Sequence, residues 1–100
     1  MRLLFTPSAR QQFLSAIRYI LEDNPRAAIK FRLKVETTLR RLLRFPQSGR
    51  RIPEFPGLPF REVVIAPYRF FYRVEAITIW IVAAWHSAQL PSSPPEKTGA

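Results

Sequence analysis

The stretch from Phe60 to Val74, FREVVIAPYRFFYRV, constrains the fold more than any other. Ala66-Pro67 divides it into two runs rich in β-branched and aromatic residues, the pattern of two strands joined by a tight turn. Side chains along a strand point alternately to opposite faces. In the second run Tyr68, Phe70, Tyr72 and Val74 therefore share one face, and Arg69, Phe71 and Arg73 share the other. The first set suits a core. The second sets guanidinium groups beside an aromatic ring, and buried arginines demand an anion: an internal acid, a partner's carboxylate or a nucleic-acid phosphate.

The chain before this stretch supplies a layer to cover the aromatic face. Arg2 to Phe5 reads as a short strand, and Thr6-Pro7 as the cap and first residue of a helix. Ala9, Phe13, Ala16, Ile17, Ile20 and Leu21 recur at steps of three and four and form its apolar stripe. Asp23-Asn24-Pro25 ends that helix and caps the next. The second helix, from about Pro25 to Arg44, carries a core stripe of Ala28, Phe31, Val35, Leu39 and Leu42. The segment 47–59 holds Pro53, Pro56 and Pro59 with Gly49 and Gly57, and reads as a long loop without regular structure. Beyond Glu75-Ala76, ITIWIVAAWH is apolar on both alternating sets, as a strand covered on both sides requires. The expected class is α+β: an antiparallel sheet of about four strands on an N-terminal helical hairpin, in the order β-α-α-β-β-β. One domain over 1–89 is expected, with 90–100 (LPSSPPEKTGA) as an extended or disordered tail.

Charge narrows the partners. Sixteen Lys and Arg stand against seven Asp and Glu, a net charge of +9 that attracts nucleic acid or an acidic protein. The second helix is the main contributor, since Arg26, Lys30, Arg32, Lys34, Arg40, Arg41 and Arg44 face Glu36 alone. With no cysteine and a single histidine, thiolate zinc sites and paired-histidine metal sites are excluded. MRLLFTPSAR lacks a signal-peptide pattern, and the longest apolar run, Ala76 to Trp85, is about half a bilayer span. A cytoplasmic protein without cofactor, metal or membrane partner is expected.

Several landmarks recur together: Asn24-Pro25 followed by Ala27-Ala28 and Phe31, then Leu43, Pro46, Gly49-Arg50, Pro53-Glu54, Arg61-Glu62, Tyr68-Arg69, Tyr72-Arg73 and the late His86. In that order and spacing the chain resembles the RelE/ParE superfamily of toxins from type II toxin-antitoxin systems, over about Leu3 to Gln89. The resemblance implies a plasmid-stabilisation type toxin neutralised by a cognate, acidic antitoxin. It also implies one of two activities. ParE-like members poison DNA gyrase by binding, whereas RelE-like members cut messenger RNA on the ribosome without metal.

Cleavage needs a base for the ribose 2′-hydroxyl, cations for the phosphate and an acid for the departing oxygen. By resemblance these are Glu54, Arg69 and His86. The lysines that one nuclease branch carries before the turn are replaced by Arg61 and Val63, and Ser87-Ala88-Gln89 follows His86 where an aromatic is expected. The ParE-like branch is therefore favoured, with gyrase as the target and no catalytic residue assigned. Arg61, Arg69, Phe71 and Arg73 are the candidates for binding antitoxin or target, and Arg40, Arg41, Arg44, Arg50 and Arg51 for a basic surface. Glu62 is a candidate salt-bridge partner.

Overall fold

A computed structural model describes residues 1–88; the expectations for 89–100 lie outside the described residues. Strand β1 (Arg2–Phe5) leads into helices α1 (Pro7–Asp23) and α2 (Pro25–Leu42), followed by strands β2 (Arg50–Arg51), β3 (Arg61–Ile65), β4 (Tyr68–Glu75) and β5 (Thr78–His86). The caps form as the sequence implies. Thr6 accepts from the Ala9 amide and Asn24 from the Ala27 amide, both at 3.1 Å, and each is followed by proline. Asn24 thereby ends α1 and starts α2 without a loop, which folds the helices into a hairpin.

The strands make one sheet in the order β1-β5-β4-β3-β2. The α+β class is as expected, with two refinements. The sheet is mixed, because β1 runs parallel to β5 at its edge while the other neighbours are antiparallel. A fifth strand lies in the segment expected to be wholly irregular: Arg50 and Arg51 precede the first proline of that run, keep their amide donors and pair with Glu62 and Arg61.

Two cores lie on opposite faces of the sheet. On one, α1 and α2 bring Ala9, Ala16, Phe31, Val35, Leu39 and Leu42 against Tyr68, Phe70, Tyr72, Ile79, Ile81 and Ala84. The stripe foreseen for α2 is buried as a unit; Leu21, foreseen in the α1 stripe, is exposed at the end of its helix. On the other face Ile52 and Phe60 cover Phe71, Val82 and Ala83, with Phe55, Leu58, Trp80 and Trp85 around them. The proline-rich segment is thus the second layer of the domain. A bulge between Phe71 and Tyr72 in the β4–β5 ladder shifts the register, so Phe71 faces Ala83 but Tyr72 faces Ile81. The even alternation expected along β5 breaks there: Val82 and Ala83 both join the second core, and Ala84 returns to the first.

Candidate functional site

Arg69 lies on β4 with its side chain on the face covered by the proline-rich layer, and it is buried. Its Nε donates to Glu62 Oε2 at 2.7 Å, while its two terminal nitrogens donate to Glu54 Oε2 and Oε1 at 3.1 and 2.9 Å. Glu62 is itself buried, and its other oxygen accepts from Arg50 Nε at 2.6 Å. The result is an alternating chain of charges, Arg50, Glu62, Arg69, Glu54, whose formal sum is zero. Its guanidinium also rests on the Phe71 ring, 5.0 Å from the centroid, and that ring meets Trp85 edge-on. The Glu54 hydrogen bonds, followed by those to Glu62, hold Arg69 charged still more firmly than an ordinary arginine, against the cost of burial. The anion demanded by this arginine is therefore internal. The lattice ties the proline-rich layer to β2, β3 and β4.

The four binding candidates do not form one surface. Phe71 is wholly buried in the second core and, like Arg69, offers no face to a partner. Arg73 is partly exposed, ion-paired with Glu75 and 5.9 Å from the Trp80 ring centroid. Arg61 pairs in register with Tyr72, which turns it to the face opposite Arg69. There its Nε donates to Gln47 Oε1 at 2.7 Å and its Nη1 to the Gly49 carbonyl at 2.8 Å. Both acceptors are neutral. Arg51 stands directly across from Arg61 in the ladder, a like-charge pairing that costs stability unless an anion joins it. Gln47, Arg51, Pro59, Arg61, Tyr72, Arg73 and Val74 line a cleft of about 200 Å³ that contains no carboxylate.

His86 is not brought to Glu54 and Arg69. It is paired with Tyr68, whose ring lies on the helical face, and packs edge-on against it at 5.3 Å. Its Nδ1 accepts from the Ala88 amide at 3.0 Å, and it borders a separate cleft with Gln11, Gln12, Tyr19 and Tyr68. The sheet stands between the histidine and the Arg69 lattice. Of the basic-surface residues, Arg40, Arg41, Arg44 and Arg51 are exposed, and Arg50 spends its Nε on Glu62.

A family model described as "ParE toxin of type II toxin-antitoxin system, parDE" matches residues 3–91. The chain belongs to the ParE toxin family. A solved structure described as "Chromosomal ParDE TA system from P. aeruginosa" is similar to this ParE-family chain with a TM-score of 0.71 at 18% identity, covering 86% of this chain and 95% of that one. At that identity the likeness supports the fold. No curated protein matches. Among the described residues of this ParE-family toxin, no helix is long and apolar enough to cross a membrane.

One contact essential to this part of the toxin escapes sequence reading. The Tyr72 hydroxyl accepts from the Gly49 amide at 2.9 Å and donates to the Pro46 carbonyl at 2.7 Å, which fastens the end of the helical hairpin to β4. The only signal was Gly49 itself, a residue suited to close backbone approach. Acid should loosen the opposite layer. Hydrogen bonds from Arg69 hold the Glu54 carboxyl below its ordinary value of 4.5. Its contribution is therefore complete above that value and is lost as pH falls through the lowered folded value. Amide exchange at Phe55 and Leu58, corrected for intrinsic rates, is expected to quicken below pH 4 before that of β4. Equal protection at pH 3 and pH 6 would contradict this.

Proposed function

We propose that this chain is a toxin held inactive by the acidic segment of a cognate antitoxin and that it acts by binding DNA gyrase rather than by cutting RNA. The observation that carries the choice is the state of Arg69: the arginine matching the phosphate-stabilising residue of nuclease relatives is buried between Glu54 and Glu62. The same contact holds the proposed base ionised and makes it less ready to take a proton, and the proposed acid lies across the sheet. Membership of the ParE family supports the same reading. Arg61, Arg51 and Arg73 around the carboxylate-free cleft are the groups we assign to antitoxin or target carboxylates. Supercoiling by purified gyrase is expected to fall with added toxin and to recover with antitoxin, and translating ribosomes are expected to leave message intact. Unchanged supercoiling at saturating toxin would overturn the target, and message cleavage would favour the nuclease reading.

A further inference from the structure

The outward face of α2 carries a feature that neither core nor cleft explains. At 3.6 residues per turn, Arg26, Lys30, Lys34, Arg40 and Arg41 fall within a sector of about 120°, roughly opposite the buried stripe of Ala28, Phe31, Val35, Leu39 and Leu42. Arg44 follows in the next turn, and all six are exposed. The acid of this helix is elsewhere engaged: Glu36 pairs with Arg32 at 2.8 Å, to one side of the stripe. Among the described residues none of the six forms an ion pair with a carboxylate. Arg26 with Lys30 and Lys30 with Lys34 are four residues apart within the helix, a spacing at which like charges weaken it. Arg40 and Arg41 sit in the last turn, where the helix dipole favours cations, so it is Arg26, Lys30 and Lys34 for which fold stability gives no reason.

We propose that this face of α2 binds the phosphate backbone of duplex DNA. The inference goes beyond the gyrase reading and does not depend on it. At a rise of 1.5 Å per residue the stripe extends over roughly 27 Å, the length of about eight base-pair steps of a polyanion carrying one charge per ~1.7 Å of axis. A convex face of cations, broken by the exposed Leu33 and Thr37, suits repeated phosphates, which are bound by charge and spacing without a pocket. Of the six cations Arg40 borders an apolar cleft with Phe5, Phe13 and Leu39, and the other five line none of the clefts at Arg61, His86 or Phe13.

The test compares two variants of equal charge in the full chain. Lys30→Gln/Arg41→Gln removes two cations from the stripe, and Arg10→Gln/Arg18→Gln removes two exposed cations from α1. Fluorescence anisotropy with a labelled mixed-sequence duplex of about twenty base pairs is measured across a salt series, with thermal melting to confirm folding. The wild type is expected to bind at low salt with an affinity that falls steeply with salt. The stripe variant should bind at least tenfold more weakly with a salt slope shallower by about 2, near 0.9 per lost phosphate contact, while the α1 variant keeps most of the affinity and slope. Equal losses in the two variants would reduce the effect to net charge and overturn the assignment. So would the absence of duplex binding, or stripe-dependent binding of a polyglutamate peptide without binding of the duplex.

Discussion

Replacing Arg69 with alanine is expected to destabilise the domain by about 3–5 kcal/mol, because it leaves Glu62 buried with one partner removed. For a domain of this size each kcal/mol lowers the melting temperature by roughly 4–8 °C, so the loss will be plain in a thermal scan. Arg69→Lys should recover little. A lysine ammonium cannot reproduce the three contacts that the guanidinium fork makes with Glu62 and Glu54. The apolar exchange Arg69→Met with Glu62→Leu should recover most of it, since exchanging a whole buried ion pair for apolar groups of similar size is often neutral. A small loss in Arg69→Ala would mean that the lattice is not what fastens the proline-rich layer.

Gly49→Ala is the second large effect, expected at about 2–4 kcal/mol from overpacking together with a strained or broken buried hydrogen bond. A Cβ at this position would fall 2.5 Å from the Tyr72 hydroxyl, 2.6 Å from its ring and 2.7 Å from the Glu62 carbonyl oxygen. The tyrosine is wholly buried and the carbonyl belongs to β3, so neither has room to retreat. Adding Tyr72→Phe to Gly49→Ala removes the nearest atom. The double variant should therefore be less destabilised than the sum of its parts, and simple additivity in chemical denaturation would contradict the contact.

Much of this structure was legible residue by residue. Thr6-Pro7 and Asn24-Pro25 announced both helix starts, because each pairs a side-chain acceptor with a residue that has no amide to satisfy. The α2 stripe and the inward aromatics of β4 followed from period alone. What period does not carry is register. The sequence groups Arg61 with Arg69, whereas the ladder pairs it with Tyr72 and gives Glu62 to the Arg69 face. The β5 bulge was hidden for the same reason, since Val82, Ala83 and Ala84 are all apolar and any phase fits them. Proline density marks 47–59 as irregular, which holds for 53–59 but not for the strand at Arg50–Arg51, and it conceals that this segment packs as a layer. Its anchors, Ile52, Phe55 and Phe60, have no repeat spacing to betray them. The anion for Arg69 was within the chain, and only the fold brings Glu54, fifteen residues away, to its fork.

The most direct test uses the apolar-lattice variant Arg69→Met/Glu62→Leu, folded by thermal melting, beside the wild type in a gyrase supercoiling assay and a ribosome-dependent message-cleavage assay. If Arg69 serves the fold alone, both proteins inhibit supercoiling alike and neither cuts message. Message cleavage by the wild type that disappears in the variant would contradict it, and would return Arg69 to catalysis.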